Sequence, residues 1–413
     1  MNYKKLKINL EKYINLNNKR STKNYTLLDE AFSSEDLIKG IEVILSKKVT
    51  MGEITHKFER EFSKYMNVNH ALMTNSGSSA NLLAAFALIN PKKKNFLKSG
   101  DEFIIQSLCW STSLWPMIQA GLKPKFIDVN FNSFNIDFEE LAKVASKKTK
   151  ALMLVHVLGN SSKIPSISKY CKDNKIYLIE DSCESLGSKY NNKFLGTFGD
   201  FGTYSFYYSH QITSGEGGML VCNSKEDYDI VHSLRSHGWD RGIGNNKKNL
   251  PTFNFINSGF NLRPTDIAAA IGLNQFKRLN FFKKIRSQNK EKIIKSLINS
   301  KKWDNQFTFF KQVKNLEPSW FGFPLIINNT NVNKKNKFLS YLREKGIETR
   351  PIISGNFMNQ KSIDLYKLNE KKQKFKNAQK IEDTGFFIGL HTQPIEDKVL
   401  KKITHYLLMI DSF

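Results

Sequence analysis

The sequence predicts an α/β protein in which a largely parallel sheet, covered on both faces, precedes a smaller C-terminal α/β domain. Three observations carry this. Short apolar runs alternate with helix-like stretches between about residues 62 and 180, the order that builds parallel sheets. A Gly-rich, aromatic stretch at 198–222 breaks the alternation. Strand–helix order resumes after residue 319. At 413 residues there is material for two or three domain-sized units and a large core.

Residues 102–106, 124–128, 151–157 and 176–180 are short apolar runs, the pattern of strands buried on both faces. Between them, 78–88, 113–120, 138–144 and 165–171 read as helices. The stretch 198–222 is expected to form two strands joined by a loop. Helical periodicity with few breakers over 264–297 predicts one long helix leaving the first domain. Beyond it, 321–327 reads as a strand, 335–345 as a helix and the region near 397–410 as a terminal helix. A division between 1–280, with an N-terminal arm, and 281–413 follows.

Composition excludes several classes. With 40% apolar and 24% charged residues, the chain is neither disordered nor fibrous. Unbroken apolar stretches such as 151–155 and 386–390 fall far short of the ~18 residues of a membrane span. Residues 1–20 are rich in Lys and Asn and lack the apolar core of a secretory signal, so a soluble, cytoplasmic protein without a membrane partner is expected. The net charge of +25 invites a nucleic-acid reading. Only nine of the 63 basic residues are Arg, and the Lys are spread in short clusters, which reads as a solvated surface and not a nucleic-acid site. Cys109, Cys171, Cys183 and Cys222 show no C-x-x-C spacing and no tight cluster, so neither a metal site nor an iron–sulfur cluster is expected.

Three constellations carry chemistry. Thr74-Asn75-Ser76-Gly77-Ser78-Ser79-Ala80-Asn81 runs directly into an apolar helix. A Gly–Ser turn there offers free N–H groups, hydroxyls and the positive end of the helix dipole, a cradle for phosphate. A plain N-cap has the same composition. Ile179-Glu180-Asp181-Ser182-Cys183-Glu184 puts acids at the C-terminal end of a buried strand, where open α/β sheets bind ligands. A loop carboxylate capping the next helix would look similar. Third is Ser205-Phe206-Tyr207-Tyr208-Ser209-His210-Gln211-Ile212-Thr213-Ser214-Gly215-Glu216-Gly217-Gly218.

Together with Gly196-Thr197-Phe198-Gly199-Asp200 and Gly259-Phe260-Asn261-Leu262-Arg263-Pro264-Thr265-Asp266, these segments resemble the DegT/DnrJ/EryC1/StrS sugar aminotransferase family from about residue 35 to the C-terminus. The resemblance implies a type I aminotransferase-like fold: a large cofactor-binding domain with a mostly parallel seven-stranded sheet, then a small C-terminal domain. Family members carry a Lys five residues before Gly-Glu-Gly-Gly as the Schiff-base residue, and this chain has His210 there. That substitution resembles the sub-branch of 3-dehydratases acting on nucleotide-linked 4-keto-6-deoxyhexoses. It implies pyridoxal 5′-phosphate, or pyridoxamine 5′-phosphate, held without a covalent bond.

By the same resemblance, His210 is the general base and is expected to be neutral and poised near pH 7. Asp181 holds the pyridine nitrogen protonated. Gly77, Ser78 and Ser205 hold the phosphate, Trp110 stacks on the ring, and Glu184 lies near the ring hydroxyl, where ordinary members have an amide. Asn261 reaches the phosphate of a neighbouring subunit, implying a homodimer with shared sites. Arg241, Arg263 and Arg350 are candidates for glutamate carboxylate or nucleotide phosphate. Sub-branch members acting on CDP-sugars use an iron–sulfur cluster on cysteines largely beyond the His motif. With no cysteine after Cys222, the cluster-free route on GDP-sugars fits better, removing the 3-hydroxyl in dideoxysugar and lipopolysaccharide synthesis with glutamate as amino donor. The alternatives are an aminotransferase making an amino sugar, or an inactive sugar-nucleotide-binding relative.

Overall fold

The computed structural model describes residues 3–17, 24–28, 32–240, 253–310, 312–369 and 373–413. Its main sheet is built from β1 (His70–Thr74), β2 (Glu102–Gln106), β3 (Lys123–Ile127), β4 (Thr149–Val155), β5 (Tyr177–Asp181), β6 (Phe201–Ser205) and β7 (Gly218–Cys222). They lie in the order β1-β7-β6-β5-β4-β2-β3. All neighbours pair in parallel except at β7, which runs antiparallel to both β1 and β6. The parallel strands are continuous apolar runs because helices cover both faces, and β4 through β7 are almost wholly buried.

The strands and helices expected between residues 78 and 173 are present, with ends shifted by one or two residues. The long helix expected over 264–297 is two helices, Asp266–Phe276 and Leu279–Ile298. The chain leaves helical geometry at Arg278, with φ −102° and ψ 2°. At this junction the buried carboxylate of Asp36 accepts from Asn274 Nδ2 at 2.8 Å and from Gln275 Nε2 at 2.7 Å, and it also pairs with the Arg278 guanidinium. These contacts tie the end of the first helix to the helix Ser34–Ser46, which carries Asp36.

A second, fully antiparallel sheet follows, formed by β8 (Phe307–Phe309), β9 (Gly322–Ile327), β10 (Thr349–Arg350) and β11 (Gly385–Gly389) in the order β8-β9-β11-β10. It meets the first sheet through short links near the C-terminal ends of the parallel strands. Phe357 N–H donates to Ser107 O at 2.8 Å, and Ser354 Oγ donates to Cys109 O at 2.6 Å. Among the described residues no helix is long and apolar enough to cross a membrane.

Candidate active site

The sheet delivers its chemistry at one edge. Asp181 is the last residue of β5 and is buried. Its Oδ2 accepts from Asn81 Nδ2 at 2.8 Å and from Ser113 Oγ at 2.7 Å, and its Oδ1 from the Cys183 N–H at 3.2 Å. These donors fix the orientation of the carboxylate at the strand end. Thr203 on β6 steers Asn81 by donating to its Oδ1 at 2.6 Å. The sequence places Asn81 one turn into its helix from Gly77, so its amide faces the sheet. The part played by Ser113 carries no signal in the sequence, because it comes from a separate helix, Ser111–Gln119.

Beside Asp181 the helix Gly77–Leu88 begins, capped by Ser76, whose Oγ accepts from the Ser79 N–H at 3.1 Å. A Cβ at Gly77 would stand 2.6 Å from Ser205 Cβ and 2.9 Å from Cys183 Sγ. Only glycine therefore fits between the helix start and the end of β6. Ser78 Oγ lies 2.8 Å from Thr112 Oγ1, which joins this helix start to the one after Trp110. Trp110 is 56% exposed, leaving its indole face open to the cleft. Glu184 is half-buried and accepts from the Leu158 N–H at 2.9 Å. Burial, with the nearby charge of Asp181, pushes its carboxyl up to about 7 against the opposing pull of that N–H.

His210 sits on the loop between β6 and β7. Its ring meets Tyr207 and Phe321 edge-on, with centroids at 6.0 and 5.0 Å, and its Nδ1 is buried without a hydrogen-bond partner. Burial, and then the charge of Arg286, pushes the imidazole down to about 3, so it is neutral at pH 7. This is well below the near-neutral value expected of this base. The loop packs against Phe321 and Arg286, which withdraws the ring from the water that an ordinary imidazole has.

Gly77, Ser78, Trp110, Asp181, Glu184, Ser205 and His210 thus gather around the ends of β5 and β6. Arg350 lines an adjoining cleft of about 620 Å³ with Tyr207, Tyr208 and Ser209, and pairs with Glu348 at 2.9 Å. Asn261 and Arg263 line a different cavity, of about 1040 Å³, where Arg263 Nε donates to Asn261 Oδ1 at 3.1 Å and its Nη2 meets His237 Nε2 at 3.2 Å. Arg241 lies outside the described residues. The donor set suits a phosphorylated pyridine cofactor: a closed Gly–Ser helix start for the phosphate, the Asp181 carboxylate for a protonated ring nitrogen and an exposed indole for the ring face. No group of three His, Cys, Asp or Glu side chains that could hold a metal occurs among the described residues.

A mostly parallel sheet with its acid at a strand end, a helix N-terminus beside it and a second domain over the cleft defines an aminotransferase-like enzyme. The chain belongs to the DegT/DnrJ/EryC1/StrS aminotransferase family, whose sequence model matches residues 32–407. It is 37% identical over 388 residues to the GDP-4-keto-6-deoxy-D-mannose 3-dehydratase of Escherichia coli O55:H7, a match spanning 91% of this chain and 97% of that protein. The solved structure of E. coli GDP-4-keto-6-deoxy-D-mannose-3-dehydratase with bound hydrated PLP superposes with a TM-score of 0.84 at 34% identity, over 94% of this chain and all of the other. A structure of GDP-4-keto-6-deoxymannose-3-dehydratase with a trapped PLP-glutamate geminal diamine gives a TM-score of 0.82 at 35% identity, covering 93% and 100%.

Proposed function

We propose that this protein removes the 3-hydroxyl of a nucleotide-linked 4-keto-6-deoxyhexose, using pyridoxal or pyridoxamine 5′-phosphate and glutamate as amino donor, in dideoxysugar and lipopolysaccharide biosynthesis. GDP is the nucleotide favoured by its similarity to the 3-dehydratases. The observation that carries this reading is His210. The family's lysine is replaced by a neutral imidazole, while the Gly77–Ser78 helix start and Asp181 with its donors remain. When bound, the cofactor supplies an electron sink that makes loss of the 3-hydroxyl feasible.

The chain's residues then divide the work. Gly77, Ser78 and Ser205 bind the phosphate, and Trp110 covers one face of the ring. Asp181, held in place by Asn81 and Ser113, holds the proton on the ring nitrogen. His210 moves the proton at C4′, a task for which a neutral imidazole has a free lone pair. Glu184 lies by the ring hydroxyl and shares a proton there, in keeping with its raised pKa. Arg350, beside Tyr207–Ser209, meets an anionic group of glutamate or of the nucleotide sugar, and Arg263 and Arg241 are further candidates for such contacts.

The working unit is a cytoplasmic homodimer in which Asn261 completes the phosphate site of the partner. Each chain divides into a cofactor-binding domain, 1–280, and a small domain, 281–413, a reading supported by the helix break at 277–278. Mass spectrometry after incubation with glutamate and a panel of nucleotide 4-keto-6-deoxy sugars tests the function. A 4-keto-3,6-dideoxy sugar with released ammonia is expected. An amino sugar would instead make the protein an aminotransferase.

A further inference from the structure

Arg286 is 1% exposed, on the helix Leu279–Ile298, and its guanidinium reaches across the cleft wall. Its Nη2 donates to the carbonyl of His210 at 3.2 Å and its Nη1 to the carbonyl of Trp320 at 3.5 Å. The same two segments are tied a second time. Gln211 Nε2 donates to Ser319 O at 3.2 Å and also to Glu184 O. The adjoining side chains are held as well: Lys290, one turn along the helix, lays its ammonium 3.7 Å from the Trp320 ring centre, and Phe321 meets the His210 ring edge-on. A planar guanidinium can bridge two carbonyls in fixed directions, which an ammonium cannot do.

We propose that Arg286 is the positioning residue for His210: it clamps the loop carrying the imidazole to the Trp320–Phe321 segment and so fixes the ring in the cleft. This rests on the reading of His210 as the base. The clamp has an electrostatic side. Arg286 brings a fixed positive charge to the loop that carries the imidazole, and charge and burial act in the same direction to keep the ring neutral. Other ionisable groups around this cleft are Tyr207 and Tyr208 on the loop, Asp181 and Glu184 at the end of β5, Tyr25 from the N-terminal segment, and Glu348, Arg350, His391, Glu396 and Lys402 from the small domain.

Two variants separate clamp from charge. Arg286→Lys keeps the charge and loses the fork, whereas Arg286→Gln loses the charge. In the full-length protein carrying ¹⁵N-histidine, with His210→Asn to assign the signal, the wild-type ring stays neutral to below pH 5 and Arg286→Lys preserves this. Arg286→Gln titrates His210 at higher pH. Sugar dehydration is expected to lose about 10- to 100-fold in kcat in both variants, with KM for the nucleotide sugar within about threefold. A folded variant of either kind with wild-type kcat overturns the proposal, and so does a Gln variant with an unmoved His210 titration. If the Gln variant fails to fold, kcat of the Lys variant decides. Full dehydration by His210→Asn would remove the base assignment itself, while the titrations would still judge the charge that Arg286 brings to the ring.

Discussion

Glu184 occupies a position where a neutral amide would fit its neighbours, since Leu158 N–H needs only an acceptor and Gln supplies one. Its carboxyl is raised to about 7 by burial and by Asp181. The sign of the consequence follows. Below the ordinary value of 4.5 the group is protonated in both folded and unfolded chains and contributes nothing to the difference. Between 4.5 and about 7 only the folded chain keeps the proton, and above about 7 the folded chain carries a desolvated charge. Glu184→Gln should therefore stabilise the cofactor-free protein at pH 8, by about 1 kcal/mol once partial exposure is allowed for, and leave it unchanged at pH 4. Thermal melts at the two pH values measure this, and an equal shift at both would assign the gain to packing. At His210 the prediction concerns chemistry. Lysine there would close a covalent bond onto the cofactor aldehyde, which ties up the amine that a base at C4′ needs. Loss of the 3-hydroxyl in His210→Lys should fall by about 10²–10⁴-fold, the usual worth of a positioned base. Release of 2-oxoglutarate from glutamate should fall less, because lysine performs that half-reaction in ordinary relatives. Following both products in one preparation separates the two effects.

At the scale of elements, the start of the helix Gly77–Leu88 is set by close approach as much as by capping. Ser76 supplies the cap, and Gly77 lets the helix press against the end of β6. Gly77→Ala places a methyl 2.6 Å from Ser205 Cβ, so one of the two elements must move. A loss of about 1–3 kcal/mol in stability is expected, with cofactor affinity, read by absorbance titration, weakened in step. Ser78→Ala removes only the Thr112 contact and should weaken cofactor binding without that loss. The motif was legible because a Gly–Ser turn before an apolar helix is a local signal. The strands β2, β4 and β5 were legible for the same reason, as apolar runs bounded by turns. β1 was not. His-Ala-Leu-Met-Thr has residues that suit a helix as well as a strand, and it becomes a strand through pairing with β7, 144 residues away at Thr74↔Gly218. β11 was noted only as an apolar stretch, and its Gly ends carry no strand preference. The helix break at 277–278 has no Gly or Pro beside it, and the clamp on His210 depends on Arg286, 76 residues along the chain; neither can be foreseen from its own neighbourhood.

At the scale of the whole molecule, the two cavities divide the site residues into sets. His210, Asp181 and Arg350 belong to the ends of the strands and the cleft beside them, whereas Asn261 and Arg263 line the cavity with His56 and His70. In a twofold dimer each surface patch of one protomer meets the same patch of its partner, so a residue outside its own site can complete the other's. The proposed dimer makes a prediction that single variants cannot. Take His210→Asn, which lacks the base, and Asn261→Asp, which sets a carboxylate against the phosphate; each homodimer should be nearly inactive. When the two are mixed and allowed to exchange subunits, about half of the dimers are hybrids. In a hybrid, one site combines both defects. The other combines an intact His210 from one chain with an intact Asn261 from the other. Dehydration should then recover to about one quarter of the wild-type rate per site. If Asn261 served its own chain's site, each site of the hybrid would still carry one defect and mixing would restore nothing. Subunit exchange followed by native mass spectrometry fixes the fraction of hybrids, so that absent recovery in a sample shown to contain them would overturn the shared site.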